Sequence, residues 1–303
     1  MDAFVIIATK GRPEETRRLL FFLEKQSIKP KGVVFVGTEP DDLDGLEAMS
    51  AFAALDCRVC YAERPGLTLQ RNIGLDLLPQ EWAGDEPWFV SFFDDDFRPA
   101  DDWLEQVRDA FVADDNIAGV TGQVLADGIH GAGLSEDDAV AYLEGRKPPG
   151  RSWAQGDKPR SAFSVYGCNM AFRDRVARAA RFDEQLPLYA WQEDRDYTGQ
   201  ARAYGEVIYH PAPKGVHLGV KGGRTSGARM GYSQIANPIY LAAKGTMQPK
   251  HCRRFLWRAV AANLVKSLGK NPYVDYRGRL SGNFAALASI IRGDLHPSRI
   301  LEL

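Results

Sequence analysis

Cysteine is scarce in this sequence, with four in 303 residues. So few in a chain this long exclude a disulfide framework as the basis of the fold. Two of them, Cys57 and Cys60, form a C-x-x-C spacing in "LDCRVCYAE", but on a strand-like run, where an odd separation turns them to opposite faces. No second cysteine or histidine pair lies nearby, so strand packing is expected rather than zinc or redox chemistry. Long apolar runs are also missing. No stretch reaches the roughly 18 to 20 residues that cross a bilayer, and the opening "MDAFVIIATKGRP" is too short an apolar run for a signal peptide. A cytoplasmic location is therefore expected, and no internal repeat is present.

The chain lacks an overall excess of either charge sign, at −2, which argues against a nucleic-acid partner. That balance conceals an asymmetry. Residues 1–212 hold 23 Lys+Arg against 37 Asp+Glu, a net −14, whereas residues 213–303 hold 15 against 3, a net +12. A basic tail of this kind can meet phosphates, an anionic membrane surface or the acidic body of its own chain.

What is present is ample material for a core: 45% hydrophobic and 26% charged residues in a length that suits one large α/β domain or two smaller ones. Strand-like runs at 3–9, 31–38, 57–63, 87–94 and 117–124 alternate with helix-like segments. In the first of these segments Pro13 opens a helix, Glu14 and Glu15 suit its first turn, and Leu19, Leu20 and Leu23 form the core-facing stripe. Further helices are predicted at 67–79, at 101–114 with Asp101 and Asp102 as caps, and from 193 into a strand ending near 210. Continuous apolar strands separated by helices predict an α/β fold with a mostly parallel sheet covered on both faces. The segment 127–160, rich in Gly, Pro and charge, reads as a long exposed loop. Helices resume beyond 226.

The chemistry concentrates at "WFVSFFDDDFRPADDW", where an apolar run ends in Asp94, Asp95 and Asp96. Two carboxylates ~5.5 Å apart repel by roughly 3 kcal/mol at an effective dielectric near 20, so the cluster calls for a cation. Strand alternation places Asp94 and Asp96 on one side and Asp95 on the other, so the first pair can hold a divalent ion bridged to a phosphate. In open parallel sheets ligands sit outside the carboxyl ends of strands, which is where these residues fall. A polar turn capping the next helix is the alternative.

Several segments together resemble family 2 glycosyltransferases of the GT-A fold. They are, in order, "IIATKGRP", "GLTLQRNIGL", "FFDDDFRPADDWLE", "GCNMAFRD" with "RFDEQL", and "WQEDRDY". The resemblance implies a Rossmann-like nucleotide-sugar half at about 1–100, an acceptor half at about 101–220, and a basic helical region at 221–303. It implies that Thr9, Arg12 and Arg71 hold the nucleotide, that Asp94 lies near the ribose with Asp95 beside it, and that Asp96 contacts a divalent metal, Mn2+ or Mg2+, on the diphosphate. His217 approaches that metal in many relatives, although a lone histidine is as often structural. Where the family often has Asp-Asp-Gly-Ser after the second strand this chain has "VGTEPDD", which leaves a base contact from Glu39 or Asp41, and the nucleotide itself, open. Asp194, with Glu193 beside it, resembles the general base for an acceptor hydroxyl; as sequence alone these residues also suit a helix start. Lys221 and Arg224, in a loop with several glycines, suit a lid over a diphosphate.

The implied activity is non-processive, inverting transfer from a nucleotide diphosphate sugar to a glycan or lipid-linked acceptor, as in polysaccharide biosynthesis. Processive synthases carry membrane helices and a Q-x-x-R-W signature, and the sequence shows neither. A nucleotidyltransferase remains an alternative, although its glycine-rich loop after the first strand is reduced here to Gly11. A catalytically silent nucleotide-sugar binding module is a third. In the tail, "KHCRRFLWRAV" sets Arg253, Arg254 and Arg258 beside Phe255, Leu256 and Trp257. That mixture fits an interfacial helix on anionic lipids or a lipid-linked pyrophosphate, and equally a helix packed on the acidic body or on a second subunit.

Overall fold

The structure is a computed structural model that describes residues 1–303 apart from 83, 85, 151, 153, 223 and 224. Its first half follows the predicted alternation: β1 (Asp2–Ala8), α1 (Pro13–Glu24), β2 (Gly32–Gly37), α2 (Ser50–Ala54), β3 (Cys57–Tyr61), α3 (Leu67–Glu81) and β4 (Trp88–Asp94). Next come β5 (Phe97–Pro99), α4 (Trp103–Ala113), β6 (Ile117–Asp127), α5 (Glu136–Leu143), β7 (Arg160–Ser161), β8 (Asn169–Arg173), α6 (Asp174–Ala179), α7 (Glu193–Ala201) and β9 (Glu206–His217). The C-terminal region is helical: α8 (Gly227–Lys244), α9 (Pro249–Ser267) and α10 (Tyr276–Arg292).

The strands form one curled sheet in the order β3-β2-β1-β4-β8-β6-β9-β5, with β7 on β9. β3, β2, β1 and β4 run parallel, and β8 enters antiparallel to both β4 and β6. Alternation along β1 sorts its side chains between two layers. Ala3, Val5 and Ile7 join Leu19, Leu20 and Leu23 of α1 and Trp103, Leu104 and Val107 of α4. Phe4 and Ile6 face Leu75 and Leu78 of α3 and Tyr197 of α7. Each of the three α1 leucines is fully buried, worth about 1.5–3 kcal/mol apiece. Cys57 and Cys60 divide between the same layers, as their spacing predicts, and all four cysteines are free.

Strand order reverses about β1, so the carboxyl ends of β1 and β4, where Ala8 pairs with Asp94, form the switch point at which open α/β sheets take their ligands. The aspartate triplet begins at that point.

Three local expectations need correction. The segment 127–160 is not all loop: Ser135 and Asp138 form a reciprocal capping box that starts α5, which packs on β6 and β9. Asp102 is the N-cap residue of α4, but its side chain does not cap; its Oδ2 accepts instead from Gln106 at 3.0 Å. Asp95 and Asp96 do not continue the strand. They form the turn between β4 and β5, and the expected partition still holds: Asp94 and Asp96 share the side of His217, while Asp95 meets Thr9 and Arg12.

Candidate active site

The loop after β1 is built first. Asp42, buried beyond β2, accepts from the backbone N–H groups of Gly11, Thr38 and Glu39 at 2.5, 2.7 and 3.0 Å. These bonds draw its carboxyl below the usual range despite partial burial. Gly11 takes φ +66°, a left-handed conformation that suits glycine. Buried Gln70 of α3 ties the same loop to β2 by donating to the carbonyls of Thr9 and Val36. Glu39 is exposed and sits 3.6 Å from Lys10.

This loop presents Thr9 and Arg12 to the triplet. Thr9 Oγ1 donates to Asp95 Oδ2 at 2.7 Å, and Arg12 Nη1 to Asp95 Oδ1 at 2.8 Å. Arg12 Nη1 is also 3.6 Å from Asp96, and its remaining nitrogens donate to the carbonyls of Val220 and Gly222. One guanidinium thus joins the acidic turn to the loop after β9. Burial and the adjacent Asp96 push the Asp95 carboxyl up, against Arg12 and Thr9.

On the other side of the turn, Asp94, Asp96 and His217 each offer a ligand atom, all within 4.8 Å of one another. His217 ends β9 directly opposite Phe97 of β5, so sheet pairing carries it there. Its Nε2 lies 3.3 Å from Asp96 Oδ1 and its Nδ1 3.1 Å from Asp127 Oδ1. Burial alone would lower the imidazole pKa, but the two flanking carboxylates raise it well above the ordinary value. Asp96 is held far below the usual range by His217, Arg12 and the Val220 N–H, despite its burial. Tyr166 donates to Asp127 Oδ2 at 2.7 Å and fixes that carboxylate from behind.

Two carboxylates and an imidazole converging at this range fit a divalent cation. With Nδ1 turned to Asp127, Nε2 is the nitrogen that faces the cluster, the usual arrangement for a ligating histidine.

A second acidic pair begins α7. Glu193 is buried and accepts from Arg71 Nη1 at 2.8 Å, while Arg71 Nη2 reaches Asp94 Oδ1 at 3.0 Å and the Gly167 carbonyl at 2.9 Å. Burial and neighbouring Asp194 push Glu193 up to about 8, against Arg71. Asp194 is half-buried and accepts from the backbone N–H groups of Arg195 at 2.7 Å and Gly167 at 3.3 Å. Its carboxyl is raised by burial against those bonds. Just before α7, Leu188, Ala190 and Gln192 adopt φ of 57°, 51° and 78°. Three non-glycine residues in the left-handed region mark a strained approach to the acidic pair. Asp196, from the same acidic run, turns away and is held by Lys244, Thr246 and Gln200.

Lys221 donates to the carbonyls of Gly128 and Ile129 at 2.9 and 3.1 Å, so it braces the turn after β6 in this conformation. Arg224 lies outside the described residues. Asp127, Tyr166, Gly167 and Asp42 join the site only through the fold. Asp127 carries a signal of the same type as Asp94, an acid ending an apolar strand, at the edge of the Gly- and Pro-rich segment that conceals it.

The sequence profile described as glycosyl transferase family 2 matches residues 4–179, more than half of the chain. The chain belongs to glycosyl transferase family 2. No curated protein matches it in a sequence comparison. Among solved structures this family 2 chain is similar to S. aureus TarS 1-349, at 17% identity and a TM-score of 0.61 over 99% of this chain and 82% of that one. It spans only 44% of the longer TarS crystal structure, with 89% of its own length and a TM-score of 0.55. It is also similar to the mannosyltransferase PcManGT from Pyrobaculum calidifontis, at 15% identity and a TM-score of 0.56 over 96% and 86% of the two chains. At such identities the likeness establishes the GT-A fold. With the family match, it makes the chain a glycosyltransferase.

Proposed function

We propose that the protein transfers a sugar from a nucleotide diphosphate sugar to an acceptor hydroxyl with inversion, and that it needs a divalent cation to do so. The observation that carries this reading is the pairing of two acidic sites through one buried guanidinium: Arg71 touches Glu193 with one nitrogen and Asp94 with the other. Structural neighbours support it, since PcManGT is described with GDP-Man and Mn2+, and TarS 1-349 with UDP-GlcNAc.

Asp94, Asp96 and His217 would hold the cation, with Asp127 orienting the imidazole. When bound, that ion offsets charge on the departing diphosphate. Asp194 takes the proton from the acceptor hydroxyl as the oxygen bonds to the anomeric carbon and the bond from that carbon to the diphosphate breaks. The Gly167 and Arg195 N–H groups fix the Asp194 carboxylate for this step. Arg71 and the Cys168 carbonyl, which accepts from the Asp94 N–H at 3.4 Å, hold donor and acceptor sides in register. Thr9, Arg12 and residues 218–222, which Arg12 ties to the acidic turn, line the nucleotide side, and a glycan or lipid-linked molecule is the acceptor. Calorimetry with nucleotide sugars and a product assay test the proposal together. Asp194→Asn should bind donor as the unaltered protein does and lose about 10²-fold or more in turnover; full turnover in that variant would remove the role assigned to Asp194.

A further inference from the structure

The crossing of α8 and α10 is made by small and polar side chains beside the buried Tyr232 and Ile235, while α9 and α10 turn further large apolar side chains outward. Inside, α8 and α10 cross so closely that a Cβ on Gly231 would meet the Arg279 carbonyl at 1.9 Å, and one on Gly282 the Ala228 carbonyl at 1.9 Å. Asn263 donates to Gln234 and Asn283, and Asn283 donates to the Gly231 carbonyl, so these amides form a polar network across the seam between the helices. Outside, α9 and its C-cap residue expose Trp257, Leu264, Val265 and Leu268, and α10 exposes Phe284, Leu287 and Ile291. Trp257, Leu268 and Ile291 are 77%, 83% and 87% exposed, more than scattered surface residues of this size require. Their spacing is regular: 257, 261, 264 and 268 on one helix, and 280, 284, 287 and 291 on the other, repeat by four and three and so share one stripe each.

A close crossing through small residues, with a stripe of large apolar residues left on the outer face, suits helices lying against hydrocarbon. Charge decides between the possible coverings. Residues 249–292 carry nine Lys or Arg and one acid, Asp275. Among the described residues Arg253, Arg254 and Arg258 make no ion pair, so although α9 packs on the body through Phe255, the acids of the body do not neutralise these cations. A second copy docked through the same face would bring a second set of unpaired cations against the first. An anionic surface would neutralise them. Among the described residues no helix is long and apolar enough to cross a membrane, so the contact is made lying on it.

We infer that the outer face of α9 and α10 docks on an anionic lipid bilayer, with Trp257, Leu268 and Ile291 entering the headgroup boundary and Arg254 and Arg258 meeting lipid phosphates. The same helix reaches the catalytic side from within: the Phe255 ring packs edge-on to Trp191 at 6.1 Å and under the Arg195 guanidinium at 4.8 Å. Docking thus sets the acceptor side, at Asp194, near the lipid surface.

The test is co-sedimentation of the full chain with vesicles of phosphatidylglycerol in phosphatidylcholine, beside vesicles of phosphatidylcholine alone, with light scattering to follow the oligomeric state. Binding is expected to the anionic vesicles only and to fall with added salt. Arg254→Gln with Arg258→Gln should weaken it roughly thirtyfold, and Trp257→Glu with Ile291→Glu should abolish it; both variants alter exposed side chains and should keep the circular dichroism of the parent. Absence of binding by the parent overturns the inference. So does equal binding by the variants, or a dimer that the Trp257→Glu substitution dissociates in a chain that ignores vesicles. None of these readouts involves sugar transfer, so failure here leaves the enzymatic reading intact.

Discussion

Arg71 donates from Nη2 to Asp94 Oδ1 at 3.0 Å while its side chain is only 1% exposed. Its other terminal nitrogen serves Glu193, and its guanidinium lies over the rings of Phe92 and Phe182 at 5.9 and 5.3 Å. A planar fork with donors in two directions is required for this, and a lysine ammonium cannot supply it.

Arg71→Lys is therefore expected to fold and bind nucleotide but to lose about 10²-fold in kcat, because the two acidic sites are no longer held in register. Arg71→Met, which leaves Glu193 and the Gly167 carbonyl without their buried donor, should cost about 1–3 kcal/mol in urea unfolding. A lysine variant with unaltered kcat would show that the bridge is structural only.

Asp127 acts through His217. The carboxylate accepts from the imidazole on one oxygen and from Tyr166 on the other, so Asp127→Asn weakens the orientation of the ring without removing a cluster ligand. The half-saturating Mn2+ concentration should rise about 10- to 100-fold, with donor KM at saturating Mn2+ little changed. Unchanged Mn2+ dependence would reduce Asp127 to a packing role.

Glu193 links the site to stability. Its carboxyl is pushed up to about 8 by burial and by Asp194. From roughly pH 4.3, where an unfolded glutamate titrates, up to that value the folded chain keeps a proton that the unfolded chain has lost. Stability of the ligand-free protein should therefore fall as pH rises through this window, by up to ~1.4 kcal/mol per pH unit from this group. Glu193→Gln carries no such proton and should flatten that part of the profile in urea melts. An equal slope in the two proteins would assign it to other groups.

The parallel half of the sheet is legible in sequence because its strands are continuous apolar runs and its helices carry their own signals, such as Pro13 with the Leu19, Leu20 and Leu23 stripe. β5 is not, since three residues become a strand only by pairing with β9. The prolines at 211 and 213 likewise conceal that β9 continues to His217, where shifts of register against β6 absorb them. At the site, the acidic triplet and the Glu193–Asp194 pair are visible as clusters. Their partition is not: the turn that separates Asp95 from Asp96, and the strand end that brings Asp127 to His217, are tertiary facts. In the C-terminal region, the sequence shows cations beside aromatics, and only the packing reveals which of them face outward.

The most direct test of the central claim is the thermal shift produced by UDP, GDP, dTDP and CDP, each with and without Mn2+, in the parent chain and in Asp96→Asn. The account predicts that at least one nucleotide stabilises the parent far more when Mn2+ is present, and that the substitution abolishes this increment while leaving the fold intact. Equal stabilisation with and without the ion in the parent, or an undiminished increment in Asp96→Asn, would contradict it.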